Sequence, residues 1–347
     1  MLATRRVGLV RSAVDISELA ARIPVPLGVR IADPLADLEL LVAFQNRHAR
    51  PAMVTPVEIA RRFATHNPEP KMLRLIVEDA GGGVVAVGGI SDGGSFARAD
   101  GSFSGTVRVV AELRGRGIGT ALLERLEAHA RSYGAPRVSG SARGDEPEGI
   151  RFAERHGYRE TNRRYNSYLD VQAFDLSRFE DPDEVARRAG VRLMSYAELE
   201  RERGSDVDGL QREAYALGVK AGADVPRPEP IQMPPYEAIR DIFFAPETFH
   251  RASSVVAVRD GRIVSETLTV MRSPGIAYTN FTGTLREERG KGLALALKLR
   301  AIVELKRLGA RLFGTTNDEQ NAAMRGINAK LGYVPDPPVI EVEKHLT

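Results

Sequence analysis

The chain of 347 residues contains no cysteine, which removes disulfides, thiolate metal sites and cysteine nucleophiles at once and fits a reducing compartment. Charge of either sign is in short surplus: 49 Lys and Arg against 46 Asp and Glu leave a formal +3, with both signs interspersed. A nucleic-acid-binding face calls for a dense basic stripe with interleaved aromatics, and none stands out. No apolar run approaches the roughly 20 residues that span a bilayer. Arg11, Asp15 and Glu18 interrupt anything that would serve as a signal-peptide core behind Arg5 and Arg6. The composition therefore predicts a cytoplasmic protein without a metal, a nucleic-acid partner or a membrane anchor. Its length predicts two domains of about 150 residues.

What is present is a short glycine-rich basic string that occurs twice, Arg114-Gly-Arg-Gly-Ile-Gly119 and Arg289-Gly-Lys-Gly-Leu-Ala294, at an offset of 175 (289 − 114). The offset holds beyond the string. Ala121 matches Ala296, Leu122 matches Leu297, Gly134-Ala135 matches Gly309-Ala310, and Gly157-Tyr158 matches Gly332-Tyr333. Identities spread over some 45 residues without a gap mark an internal repeat.

Each copy reads as strand, glycine turn, helix and glycine stop. Val107 to Val110 and Tyr278 to Thr284 are β-branched and aromatic runs. Leu122, Leu126 and Ala130 recur every fourth residue, as do Leu297, Ala301 and Leu305, which predicts helices facing a sheet. Upstream lie predicted hairpins, Leu73–Glu78 with Val84–Ile90 and Ser254–Arg259 with Arg262–Val270, and predicted helices over Leu35–Arg47 and Asp206–Leu217. The expected organisation is an N-terminal extension 1–28 without a counterpart in the second copy, a first domain 29–170, a linker 171–190 around Asp181-Pro182-Asp183, and a second domain 191–347.

Alternating glycines let several backbone N–H groups converge on one spot at the positive end of a helix, a nest for phosphate. Arg114, Arg116, Arg289 and Lys291 are expected to add charge beside it. The Walker A loop does not fit, because Gly292 is followed by Leu293 rather than Gly-Lys-Ser/Thr. The dinucleotide fingerprint also fails, because Thr120 and Leu295 stand where its third glycine belongs.

The two strings resemble the [Gln/Arg]-x-x-Gly-x-[Gly/Ala] pattern of the GCN5-related N-acetyltransferase (GNAT) superfamily, and the two Gly-Tyr pairs resemble its Gly-[Phe/Tyr]. The resemblance covers about residues 29–170 and 191–347, with a two-domain plan similar to the mycothiol synthase type. It implies an α/β fold of two tandem domains, each a central mixed sheet with a splayed strand and flanking helices. It also implies an acyl-CoA-dependent N-acetyltransferase, with acetyl-CoA as co-substrate and a primary amine of a small molecule as acceptor. The expected pyrophosphate sites are Arg114, Gly115, Arg116, Gly117, Ile118, Gly119 and Thr120, and Arg289, Gly290, Lys291, Gly292, Leu293 and Ala294. The pantetheine arm is expected along Val107 and Val109, and along Thr282 and Thr284.

The tyrosine that many relatives use as acid, four residues before Gly-[Phe/Tyr], is replaced by Ala153 and Asn328. Neither serves as the acid, but thiolate leaves readily, its thiol having a pKa of about 8.5, so loss of the acid need not abolish turnover, and Asn328 is an expected hydrogen-bond donor to sulfur. The second copy has Asn317 and Asn321 at the start of the following helix, positions at which the resemblance implies CoA contact and at which N-capping is the alternative. The first copy has the acidic Asp145-Glu146-Pro147-Glu148 there instead. These differences predict that the second domain is the catalytic one. Glu266, in the hairpin strand, is the expected base, ahead of His250 and Tyr278, and Arg272 and Asn280 are candidate substrate contacts. A non-catalytic acyl-CoA-binding or sensing protein is the competing reading, supported by the missing tyrosines.

Overall fold

The computed structural model describes residues 14–33, 35–47, 56, 59–60, 71–225, 233–244 and 248–346. Residues 1–13 of the expected N-terminal extension lie outside the described residues.

The first half runs α1 (Ser17–Arg22), β1 (Gly28–Ile31), α2 (Leu38–Asn46), β2 (Met72–Glu78), β3 (Val84–Ser91), β4 (Phe103–Val109), α3 (Ile118–Ser132), β5 (Arg137–Arg143), α4 (Pro147–Arg155) and β6 (Arg159–Asp170). The second half repeats the plan. It runs α5 (Pro182–Arg188), β7 (Arg192–Ser195), α6 (Tyr196–Arg203), α7 (Val207–Gly222), α8 (Tyr236–Phe243), β8 (Val255–Arg259), β9 (Arg262–Ser273), β10 (Ile276–Thr284), α9 (Leu293–Arg307), β11 (Leu312–Asp318), α10 (Ala322–Leu331), β12 (Val334–Pro335) and β13 (Val339–His345). The predicted hairpins are present. The second turns on Asp260 and Gly261, at φ of 50° and 75°, the paired left-handed conformations of a tight two-residue hairpin.

All of these strands join one mixed sheet in the order β1-β2-β3-β4-β5-β13-β6-β11-β10-β9-β8-β7, with β12 paired to β6. Only β4/β5 and β10/β11 are parallel. The centre of the sheet is an exchange: β13, the last strand of the chain, lies between β5 and β6, while β6 lies between β13 and β11. Glu341 pairs Ser141 on one side and Asn162 on the other, and Leu169 of β6 pairs Phe313 of β11. Each half therefore supplies its final strand to the other. A sequence boundary at residue 170 follows the repeat but not the hydrogen bonding.

The stretch expected to be a linker is packed. Val171, Phe174 and Ala186 are buried with Leu297, Ala301 and Phe313 in the second core. Its helix α5 precedes β7 and lies on α9, as α1 precedes β1 and lies on α3. Arg300 reaches Asp183 at 3.1 Å in one pair, and Leu19 and Ile23 enter the first core in the other. The N-terminal segment thus has a counterpart in the second half, hidden from sequence because the two short helices share shape and not identity.

The long helices α3 and α9 bury one stripe each, Ala121, Leu122, Leu126 and Ala130 against Ala296, Leu297, Ala301 and Leu305. Each buried leucine contributes about 2 kcal/mol of transfer free energy, so these stripes hold both cradles at fixed positions on the sheet.

Candidate functional site

The two glycine turns have the same backbone. Gly115 and Gly117 have φ of 77° and 81°, and Gly290 and Gly292 have 77° and 80°. Left-handed backbone at alternate positions turns successive N–H groups toward one point, and both turns are exposed. A Cβ at Gly115 or Gly117 would meet nothing within 4 Å, whereas one at Gly292 would lie 3.2 Å from Val185 of α5.

Three of the four basic residues expected beside the phosphate are committed elsewhere. Arg114 Nε donates to the Val109 carbonyl at 3.1 Å, and Arg289 Nε donates to the Thr284 carbonyl at the same distance. Arg114 is also paired with Glu148, Arg289 with Asp224, and Lys291 with Glu288. The motif arginine is therefore a clip that fastens the turn to the end of the strand before it. Arg116 is exposed and has no partner among the described residues, which leaves it for a bound anion.

Ahead of each turn the parallel strands part within one residue of the same repeat position. Pairing of β4 with β5 ends at Ser104/Ser139, and pairing of β10 with β11 ends at Tyr278/Gly314. In the first half the gap widens into a cleft of about 700 Å³. Val107, Val109, Gly117, Thr120 and Leu123 line it, with Asn166 and Tyr168 of the exchanged strand β6 among its other walls. Of the first-copy residues expected at the cofactor, all except Arg116 line this cleft.

In the second half the same walls are polar and half-buried. Thr282 and Thr284 stand where the first half has Val107 and Val109, and their hydroxyls bond Thr267 at 2.9 Å and Ser265 at 2.6 Å. Asn321 accepts from the Met324 N–H at 3.2 Å, so its role here is the N-cap of α10. Asn328 donates from Nδ2 to Asn317 at 2.6 Å and keeps a buried Oδ1 without a partner.

Glu266 is 1 % exposed and faces the layer of α6 and α7, with its Oε2 unpartnered. Burial, then the charge of Glu213, holds its carboxyl well above the usual carboxylate range. The matching first-half residue is Val87, because Glu266 pairs Gly283 and Val87 pairs Arg108 at the repeat offset. His250 is engaged with Ser253 at 2.7 Å, and burial lowers its pKa. Tyr278 hydrogen-bonds Thr316 and has Arg272 5.3 Å from its ring.

One titratable group escaped the sequence reading. Lys298, on α9, is fully buried with an unpartnered Nζ, between the rings of Phe313 and Tyr333. The available signal was a lysine at the repeat position of Leu123, inside a helix otherwise patterned for burial. Among the described residues no cluster of acidic and histidine side chains could hold a metal ion, and no helix is long and apolar enough to cross a membrane.

The acetyltransferase (GNAT) family model matches residues 41–158, which span the first turn, its helix and the Gly157-Tyr158 pair. Over these residues the chain is similar to the GNAT acetyltransferases. GNAT acetyltransferases use acetyl-CoA as co-substrate. No curated protein matches the chain. Among solved structures, a GCN5-related N-acetyltransferase from Sphaerobacter thermophilus is 20 % identical, with a TM-score of 0.67 over 93 % of this chain and 97 % of that one. A tandem GNAT protein from the clavulanic acid biosynthesis pathway is 19 % identical, with a TM-score of 0.68 over 92 % and 99 %. A glucosamine N-acetyltransferase region of a fungal multi-domain β-N-acetylglucosaminidase is 13 % identical, with a TM-score of 0.65 over 93 % of this chain and 38 % of that one. At these identities the likeness is one of fold, and it extends over both halves of the chain.

Proposed function

We propose that the protein is an acyl-CoA-dependent N-acyltransferase that moves an acetyl group from acetyl-CoA to a primary amine of a small molecule, with the chemistry in the second half. One observation carries the assignment. Around matched gaps, the first half presents Val87 and Leu123 where the second presents the buried, titratable Glu266 and Lys298.

Both turns fit a pyrophosphate. Their alternate left-handed glycines are exposed, and the parted strand beyond leaves unpaired backbone for the pantetheine amides. The open first-half cleft binds acetyl-CoA, with Glu146, Tyr158 and Tyr168 in its lining but no counterpart of Glu266 or Lys298. In the second half the acceptor enters from the α6–α7 face as an ammonium beside Glu266. A carboxylate in so dry a place is a strong base, and proton transfer from ammonium to carboxylate leaves two neutral groups, which the low dielectric favours. The neutral amine then attacks the thioester carbonyl, the C–N bond forms and the C–S bond breaks. No acyl-enzyme is needed, in keeping with a chain that has no cysteine.

A panel of primary amines incubated with acetyl-CoA, followed by thiol release and product mass, tests the assignment. Amine-dependent release of CoA with an acetylated product is expected. Tight binding of acetyl-CoA without turnover across the panel contradicts it and leaves a binding protein.

A further inference from the structure

In the second half, several buried polar atoms without hydrogen-bond partners collect on the α9 side of the sheet: Lys298 Nζ, Tyr333 Oη, Thr279 Oγ1 and Asn328 Oδ1. Buried polar groups are satisfied almost everywhere in folded proteins, so a group of orphans in one place asks for a ligand. The Lys298 ammonium lies 5.1 Å from the Tyr333 ring centre and 5.6 Å from that of Phe313. The Tyr333 hydroxyl lies beside Thr279.

Position within the repeat says which ligand. Subtracting 175 maps Lys298, Asn328, Phe313 and Tyr333 onto Leu123, Ala153, Val138 and Tyr158, all of which line the first-half cleft. Tyr158 has a charged partner in Glu127 at 3.1 Å, whereas the Tyr333 hydroxyl has only Thr279 beside it. The orphans Lys298, Asn328 and Tyr333 thus stand at positions whose first-half counterparts line the cleft.

We propose that Lys298 is the proton donor to the CoA thiolate in the second half, filling the role left vacant by the tyrosine absent from position 328. The inference rests on the reading that acyl-CoA occupies the second turn. As the amine's C–N bond forms and the C–S bond breaks, the electron pair stays on sulfur and takes a proton from the Lys298 ammonium. The resulting neutral amine is recharged from solvent after CoA leaves, while the acceptor's own proton goes to Glu266. Burial alone lowers Lys298 to about 7, below the roughly 8.5 of a free thiol, so the transfer runs downhill. The rings of Phe313 from β11 and of Tyr333 flank Nζ, and Thr279 of β10 lies beside the Tyr333 hydroxyl. None is charged at neutral pH, and burial pushes the Tyr333 phenol up.

The test is calorimetric binding of acetyl-CoA together with steady-state CoA release across pH for the intact wild type, Lys298→Met and Lys298→Gln. The wild type should bind acetyl-CoA and lose kcat as pH rises above about 7, tenfold per unit once the ammonium is the minor form. Lys298→Met, which matches the length of the stem, should lower kcat about 100-fold at pH 7 with KM within about twofold, and should lose that limb of the profile. Lys298→Gln provides the same reading should the methionine variant fold poorly. Acetyl-CoA binding with unchanged kcat and pH profile in a folded variant overturns the role of Lys298 and leaves the transferase reading intact. Failure of the wild type to bind acetyl-CoA, or binding without turnover of any amine, overturns both.

Discussion

The two halves share a backbone and differ in what they put on it. Their turns match to within a few degrees, the motif arginine clips each turn to its strand with the same bond, and the parallel strands part within one residue of the same repeat position. Around that common frame, Val87, Leu123, Ala153 and Val107 in one half become Glu266, Lys298, Asn328 and Thr282 in the other. An aliphatic wall contributes binding area at little cost. A buried ionisable group is costly to keep unless something uses it. The difference teaches that duplication preserved the cradle in both halves and concentrated the expense in one.

The largest effect that would break this comparison concerns the exchanged strands. Residues 1–170 alone would leave β5 and β6 without β13, and residues 171–347 alone would leave β11 and β13 without β6. Neither fragment should give a cooperative unfolding transition by circular dichroism, while the two mixed should regain one. Two stable separate fragments would show that the halves are independent.

Glu266→Gln keeps the shape and removes the base, so kcat should fall about 100-fold in a folded protein, as measured by CoA release beside a thermal melt. The same substitution with full turnover would assign the base elsewhere.

Lys298→Met also has a stability signature, and its sign follows from the depressed pKa. The unfolded chain binds the lysine's proton below about 10.5, and the folded chain only below about 7. The wild-type penalty is therefore complete at pH 7 and below and fades as pH rises to 10.5. The variant should be more stable by about 4 kcal/mol at pH 7, with the gain vanishing above pH 10.5, as read from denaturant midpoints. The smallest effect is that of Asn321→Ala, which removes the N-cap of α10 and should cost about 1 kcal/mol with turnover retained.

How much of this was legible in the sequence follows from which interactions are local. The turns, the helix stripes, the hairpin at Asp260-Gly261 and the glycine stops depend on neighbouring residues, and the repeat doubled each signal. The strand exchange was not legible, because β6 and β13 pair across more than 170 residues and nothing in either strand names its neighbour. The packing of α5 and α1 was missed for the same reason, since Val185 and Leu19 find their partners only in three dimensions. At the site, Glu266 was reachable by its place in the hairpin. Lys298 was passed over because a lysine on a helix reads as solvated until its neighbours are known to enclose it. Arg114 and Arg289 were read as phosphate ligands from charge alone, whereas their geometry makes them clips.

The division of labour between the halves is tested most directly by one matched pair of substitutions, Gly117→Trp and Gly292→Trp, each blocking one turn, with amine-dependent CoA release measured on folded protein. Loss of at least about 100-fold in turnover for Gly292→Trp, with turnover largely kept and one acetyl-CoA site lost in Gly117→Trp, is the predicted result. Equal losses in both, or the larger loss in Gly117→Trp, would contradict it.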